Sequence, residues 1–341
     1  MGVAGSALAL ARGLKTQFSN TYKSRVSGPH SKLAKVMDLG FSSDGAAEDY
    51  FYYLSAPHPQ RTNAGEGPPI KGFGGRAFRC VNHDWKLGIE WPENLEDDDQ
   101  TGGLVAQARE GGKNFAILPD RVFFQIITNS SNKKLLPAIP TCADGSALFA
   151  TTDGAGNARF GATNGNLLAG LIPTNPTGQN LRDAIFAMIE QFSLFLDTDG
   201  EQLYPQDDIL ERGITIIFRS SLFQQMAEAT RQATTAQTVT NVPGTENVGV
   251  AGVTNVILDA GLKITLMPSS CVSDNSLYGV LEGEERKPVF MQTRSPLRDS
   301  LQDRNTSDRT RDTDIKGLRW KWRGGFGVAG DPHMAIKALA A

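Results

Sequence analysis

Three stretches of the sequence repeat their apolar residues every three or four positions, a spacing that predicts amphipathic helices. The first lies within residues 5–25 and has a narrow apolar stripe, formed by Leu10, Leu14, Phe18 and Tyr22. This stripe could pack on its own chain or on a neighbouring molecule, and both readings are open. The other two stretches are Leu104–Ile126 and Leu181–Leu196, and the last one ends at the turn-forming segment Asp197–Gly200.

The second helix is the longest, and its pattern contains residues that disturb helices. It follows an acidic cluster, Glu96–Asp99, and acidic side chains favour a helix N-terminus. Gly111, Gly112 and Pro119 interrupt it. Because a proline inside a helix costs about 3 kcal/mol or more, we expect this helix to bend or split near these residues.

Two runs with aromatic or alternating apolar residues, Asp49–Leu54 and Phe78–Trp91, predict strands. The segment between them contains four prolines and five glycines, and such a segment turns or projects because it cannot hold a central ladder. The three parts together predict a hairpin-like extension. Farther along, Ile214–Phe218 predicts a buried strand, and the pair Ser221 and Gln224 predicts a capping box for a helix that ends near residue 231.

The remaining pattern consists of loops and short strands. Residues 141–178 are rich in glycine, threonine and asparagine and are expected to form loops with brief strands at most. Near the end, Leu318, Trp320 and Trp322 alternate with basic residues, which predicts a one-sided strand that stops at the glycines 324 and 325. Further strands are expected at Val256–Leu258, Ile264–Met267 and Tyr278–Leu281. The fold class is therefore α+β.

Length, charge and cysteine content narrow the class of protein. The 341 residues predict about two domains. Lysine and arginine number 34 against 37 aspartate and glutamate, so the net charge of -3 argues against a dedicated nucleic-acid binder. Three widely spaced cysteines predict neither a disulfide framework nor a zinc site. The start of the sequence predicts no signal peptide and no membrane span.

Local motifs for catalysis or cofactor binding fail on their context. Gly72, Gly74 and Ala77 have dinucleotide-binding spacing without the required strand before and helix after them. Lys113 lacks the rest of a phosphate-binding loop, and the turn at Asp197 lacks the glycine and glutamate of a calcium loop. The four histidines are isolated, and His83 beside Asp84 is more typical of a structural histidine. We therefore expect no enzyme activity, no metal and no cofactor.

Residues 298–314 form an unusual run in which arginine and aspartate alternate and nearly cancel in charge. The run is either a solvated loop or a set of ion pairs between subunits. Isolated exposed ion pairs contribute only about 0 to 1 kcal/mol, which favours the solvated loop. A network of ion pairs repeated at every contact could still set the register between subunits. Its candidate contact residues are Arg298, Asp303, Arg304, Asp308, Arg309 and Asp312.

Several separated segments, taken in order, resemble the Mu-like major head subunits of tailed bacteriophages. The segments are LKTQFSNTY, FYYL, FRCVNHDWKLGIEWPENLEDDD, LPDRVFFQII with CADGSALF, FLDTDGEQLYP, KPVFMQTR and LRWKWRGGFGVAGDPHMAIKAL. The resemblance runs from about Leu14 to Leu339. The segments around 231–255 and the arginine and aspartate run are less similar to the family.

The resemblance implies the Hong Kong 97-type capsid fold, with five parts. These are an N-terminal arm (1–47), an extended loop (48–95), a peripheral domain (96–174) with a spine helix at about 98–130, an axial domain (175–275) and C-terminal strands that return to the peripheral domain (276–341). It also implies a location in the virion after assembly in the host cytoplasm, as hexamers and pentamers around double-stranded DNA that is bound without sequence specificity.

The partners implied by the family are a scaffolding protein, a maturation protease, a portal and, in some heads, decoration proteins, with no membrane. A long loop inside a compact domain is unusual, whereas a loop that lies on a neighbouring subunit accounts for its length. The loop contacts would then be Arg61, Glu66, Lys71 and Arg76. Two other functions stay open: an encapsulin-like shell around a cargo enzyme, and a hydrolase whose carboxylates come from distant segments.

Overall fold

The computed structural model describes residues 3–26, 33–53, 75–92, 94–95, 102–132, 134–197, 199–231, 234–238, 250–254, 261–283, 287–302, 313–328, 330 and 332–340. The chain folds into two compact units. The first consists of Met1–Asp49, Arg79–Phe123 and Val289–Gly327, and the second of Tyr50–Phe78, Phe124–Pro288 and Val328–Ala341.

Helices and strands alternate along both units, as the mixed pattern predicts. The helices are α1 (Val3–Val26), α2 (Gly103–Ala116), α3 (Leu118–Thr128), α4 (Gly178–Ser193), α5 (Gln206–Arg212) and α6 (Phe223–Arg231). The strands are β1 (Met37–Ser42), β2 (Ala47–Tyr53), β3 (Gly75–Val81), β4 (His83–Pro92), β5 (Leu167–Ile172), β6 (Ile214–Arg219), β7 (Thr234–Thr238), β8 (Val250–Thr254), β9 (Ile264–Ser269), β10 (Leu277–Leu281), β11 (Val289–Gln302), β12 (Ile315–Val328) and β13 (Ala335–Ala340).

The first unit is built on a four-stranded sheet in the order β1-β11-β12-β4. Strand β12 runs antiparallel to β4, with Ile315 opposite Pro92 and Gly324 opposite His83. Alternate side chains of these strands are buried, among them Trp91 and Trp320, and the others face solvent. The one-sided pattern predicted from the sequence around Trp320 is therefore confirmed.

The long helix splits, as its proline predicts, but the glycines have another role. Helix α2 ends at Ala116 and α3 begins at Leu118. Gly111 and Gly112 lie inside α2 without breaking it. A Cβ atom on Gly112 would lie 2.7 Å from the backbone oxygen of Phe18, so this glycine lets helix α1 approach closely.

Strand β12 does not stop at Gly324 and Gly325, and that expectation was wrong. It continues to Val328 because its glycines leave room for the neighbouring strands. A Cβ on Gly324 would lie 2.3 Å from the backbone oxygen of Gln292, and one on Gly327 would lie 2.4 Å from the ring of Phe290. Here glycine permits tight strand packing and does not end the strand.

The second unit is built on a five-stranded sheet in the order β5-β13-β10-β6-β9. Its strands supply a core together with α4, in which Leu181, Met188 and Phe192 are fully buried. Helix α4 begins at a capping box between Thr177 and Asn180. The buried strand predicted at 214–218 is confirmed as β6.

Other expectations have mixed outcomes. Strands β2 and β3 pair with each other, which confirms the hairpin, while the segment 54–74 between them lies outside the described residues. The single strand predicted at Phe78–Trp91 was wrong, because the chain leaves the hairpin at Asn82 and its second part, β4, pairs with β12 in the four-stranded sheet. Ser221 lies inside a short 3-10 helix, Ser220–Leu222, and not at the N-cap expected for it. The strands predicted at 264–267 and 278–281 are confirmed, and the one at 256–258 lies outside the described residues.

Candidate assembly surfaces

The apolar stripe of α1 packs on its own chain, so this part of the helix is not free for a neighbour. Leu14 and Phe18 are fully buried. The ring of Phe18 stacks on Trp320 and meets Phe115 edge-on at 6.2 Å. At the edge of this packing Tyr22 is half-buried, and burial raises the pKa of its phenol.

The hairpin of β2 and β3 carries the first group of predicted contacts. Arg76 lies in β3, whereas Arg61, Glu66 and Lys71 lie outside the described residues. Within the described part, the ring of Tyr50 stacks on Phe78 with centroids 5.5 Å apart. Phe51 leaves 65% of its surface exposed, which is a large apolar surface for a strand.

The arginine and aspartate run begins inside a strand. Arg298 lies in β11 and is exposed, and its neighbour Asp299 forms an ion pair with Lys15 of α1 at 3.0 Å. The remaining predicted contacts of this run lie outside the described residues; they are Asp303, Arg304, Asp308, Arg309 and Asp312. Of the ten predicted contact residues, Arg76 and Arg298 are the two that lie among the described residues.

A second charged surface lies on the outward face of β4 and β12, and sequence reasoning missed it as a contact site. We call it the charged stripe; it consists of Asp84, Lys86, Glu90, Arg319, Lys321 and Arg323. Antiparallel pairing places Lys86 directly opposite Lys321 and Asp84 directly opposite Arg323. Residues opposite each other point to the same face of a sheet, so the register gathers these side chains.

One carboxylate in the charged stripe faces three cations. The Lys321 ammonium lies 3.0 Å from the Asp84 carboxylate, and Lys86 and Arg323 each lie 3.7 Å from it. The hydrogen bond from Lys321, together with the charges of the three cations, lowers the pKa of Asp84. At the other end of the stripe, Arg319 pairs with Glu90 at 3.1 Å.

This geometry argues against a catalytic acid and base pair formed by His83 and Asp84, because the ion-pair partners of Asp84 are Lys86, Lys321 and Arg323. The signal for the stripe was present in the sequence as polar residues alternating with tryptophans on both strands. The sequence does not show how the two strands are aligned, because they lie more than two hundred residues apart in the chain. This alignment is what places Lys86 opposite Lys321.

The described residues offer little chemistry for catalysis. Among them, no three side chains of histidine, cysteine, aspartate or glutamate form a group that could hold a metal ion. A buried polar network around Arg159 holds a loop together: its guanidinium binds the Asp144 carboxylate at 2.9 Å and the Leu148 carbonyl at 3.0 Å. No helix in the described part of the chain is long and apolar enough to span a bilayer.

A groove in the first unit also lacks catalytic groups. Its volume is about 360 Å³, and its lining includes Phe115, Leu118, Met291, Leu297 and Trp322. Tyr22 is the titratable side chain that lines it, with no carboxylate beside it among the described residues. The lining is thus mostly apolar and does not provide the pair of carboxylates that a typical glycoside hydrolase uses.

Comparison with known proteins connects this fold to viral shells. Residues 8–169 match the family model described as the Mu-like prophage major head subunit gpT. No curated protein matches the chain. Among solved structures, the capsid of cyanophage P-SCSP1u is 12% identical with a TM-score of 0.56, and the match covers 91% of this chain and 88% of that chain.

Two further solved structures are similar to the same extent. The capsid of a native GTA particle is 11% identical with a TM-score of 0.54 and covers 91% of this chain and 90% of that chain. The mature capsid of bacteriophage PhiM1 is 11% identical with a TM-score of 0.50, covering 90% and 86%. At such identities the likeness establishes the fold, and it extends over both units of the chain.

Proposed function

Because the chain belongs, through residues 8–169, to the family of Mu-like prophage major head subunits, we propose that its copies form hexamers and pentamers that close into an icosahedral head. The chain is a major capsid protein, which is a structural component of the phage head. The observation that carries this function is the family match, joined to a capsid fold that covers 91% of the chain. The head encloses double-stranded DNA, which the subunits do not recognise by its base sequence.

The family also supports a division of labour along the chain. We assign residues 1–47 to an N-terminal arm, 48–95 to an extended loop, 96–174 to a peripheral domain with its spine helix and 175–275 to an axial domain. The C-terminal part, 276–341, would return to the peripheral domain. Its strands divide between the two sheets, since β11 and β12 lie in the four-stranded sheet and β10 and β13 in the five-stranded one.

Contacts between subunits would come from the hairpin loop and from the arginine and aspartate run. The exposed ring of Phe51 supports the hairpin as a contact, because burying such a ring against a neighbour removes a large apolar surface from water. Arg61, Glu66, Lys71 and Arg76 would supply the polar part of that contact. Arg298, which is exposed, would begin the second contact.

The head would be assembled in the host cytoplasm around a scaffolding protein, with a maturation protease, a portal and decoration proteins as further partners. The near-neutral charge of the chain agrees with this use. A strongly cationic inner wall would hold packaged DNA through its phosphates, and a net charge of -3 avoids that.

The test is electron microscopy of the purified protein after gel filtration, with and without a scaffolding protein, recording particle diameter and DNA content. Closed shells, or rings that close with scaffold, are expected. A deletion of residues 60–75 should leave a folded protein that forms no shells, with circular dichroism as the folding control. A wild-type chain that stays monomeric under both conditions would overturn the function, and normal shells from the deletion would remove the loop contacts.

A further inference from the structure

The outward face of β4 and β12 carries more positive than negative charge. Four cations of the charged stripe face two acids, so the stripe has a surplus of two positive charges. Its side chains are accessible, with Lys321 49% and Arg319 44% exposed. Exposed ion pairs contribute little to folding stability, so the fold itself depends little on this arrangement.

We propose that the charged stripe is a contact between subunits, and that it binds the acidic run of a second copy of this chain, formed by Glu93 and Glu96–Asp99. The proposal rests on the assembly of many copies described under the proposed function. The run has five acids in seven residues and no base, and it is the densest acidic segment of the sequence. Its charge therefore complements the surplus of the stripe.

At the three cations around Asp84, the length of the chain favours the run of another copy over the run of the same copy. Strand β4 ends at Pro92, whereas the cluster of three cations surrounds Asp84, eight residues earlier in the strand. At about 3.4 Å per residue, the cluster lies roughly 27 Å from the strand end. The seven residues 93–99 of the same chain could span at most about 24 Å, which is less than this distance. The chain must also reach the start of the helix at Gly103.

The mixed signs of the stripe favour a protein over a nucleic acid. A phosphate backbone is negative along its whole length, so it would meet repulsion from Asp84 and Glu90 as well as attraction from the four cations. A peptide of mixed residues can place its carboxylates beside Lys86, Lys321 and Arg323 and leave a neutral residue, such as Asn94, beside an acid. The contact would steer subunits together and weaken with added salt.

The experiment exchanges charges between the two partners in the full chain. The stripe variant is Lys321→Glu with Arg323→Glu, the run variant is Asp97→Lys with Asp98→Lys, and the fourth protein combines all four changes. Lys134→Glu, on an exposed lysine outside the stripe, is the matched control. Particle formation is measured by sedimentation and microscopy under the conditions that give wild-type shells, and folding by circular dichroism.

Each one-sided variant is expected to raise the protein concentration needed for particles by about tenfold or more, because like charges then oppose each other. The combined variant should return it toward the wild-type value, and Lys134→Glu should leave it unchanged. Normal assembly by the stripe variant overturns the proposal, as does a folded combined variant that fails to recover.

A short DNA duplex distinguishes the other class of partner. If the stripe variant assembles normally but loses duplex binding in a fluorescence anisotropy titration, the stripe binds nucleic acid and the proposal is wrong. If the wild-type chain itself forms neither rings nor shells with scaffold, the proposed function fails first, and that result is separate from any effect of the variants.

Discussion

The aromatic ring of Phe18 in α1 lies flat on the indole of Trp320 in β12, with ring centroids 4.0 Å apart and planes inclined by 11°. Both side chains are buried, and Gly112 gives the helix backbone at Phe18 its close approach to α2. The N-terminal helix is therefore part of the core of the first unit. An interaction of this kind adds about 0.5 to 1.5 kcal/mol to the burial of the two rings.

Replacing Phe18 with alanine should destabilise the first unit by about 3 to 5 kcal/mol, since it removes a fully buried ring and leaves a cavity. Urea unfolding followed by tryptophan fluorescence measures the effect, because all four tryptophans, Trp320 among them, lie in the first unit. Asn20→Ala, on an exposed position of the same helix, should change stability by less than about 0.5 kcal/mol. An equal effect of both changes would mean that α1 does not dock as described.

Replacing Gly327 with alanine should prevent the correct packing of β12 and β11. The added Cβ would lie 2.4 Å from the ring of Phe290, a distance that requires a shift of the ring or of the strand. We expect a loss of about 1 to 3 kcal/mol or insoluble protein. Gly40→Ala is the matched control, since a Cβ there meets nothing within 4 Å. Soluble yield and melting temperature of the two variants decide the question.

Arg159 should be the most sensitive polar residue of the second unit. Its guanidinium is 2% exposed and donates through Nε and Nη1 to Asp144, two backbone carbonyls and Asn166, whereas the buried Nη2 makes no hydrogen bond. Arg159→Ala would leave the Asp144 carboxylate without its partner in a nearly buried site, at a cost of about 3 to 5 kcal/mol.

Hydrogen exchange should then accelerate across residues 142–166, while Arg219→Ala, at an exposed arginine, should leave exchange there unchanged. Unaltered protection in the Arg159→Ala protein would show that the loop is held by other interactions.

The three cysteines should differ sharply in reactivity. Burial raises the pKa of the Cys80 thiol to about 12, so at pH 8 the thiol stays almost entirely protonated. Cys142 is also buried, whereas Cys271 is exposed. A colorimetric thiol reagent at pH 8 should therefore modify one thiol rapidly in the folded protein and three after denaturation. Rapid reaction in a Cys271→Ser protein would contradict this burial.

The sequence predicted the elements whose pattern is local. The periodic stripes of α1, α2 and α4 are confirmed because the buried face of an amphipathic helix can be identified from the residues of that helix alone. Helix α5 was missed, since it has seven residues and a single buried one, Ile209, which is too little for a period to emerge. The continuation of β12 past Gly324 was missed because its cause, the approach of Gln292, is a contact distant in sequence.

The candidate site was harder to predict than the fold. The arginine and aspartate run attracted notice because its charges are adjacent in sequence, yet only its start, with Arg298, lies among the described residues. The charged stripe joins residues from positions 84 to 323, and only the strand register reveals that Lys86 and Lys321 share a face. A surface formed by strands that are distant in sequence cannot be predicted from local sequence patterns.

Strand β13 joins β5 to β10 in the five-stranded sheet, although it lies far from β5 in the chain. On the ribosome, β5 must therefore wait for more than 160 further residues before its neighbour exists. Pairing across such a separation in sequence is slow, since the entropy of closing the loop is lost before the contact forms. A nascent subunit consequently has no finished second unit before β13 has been synthesised, and a lattice contact that needs this unit must wait for that strand.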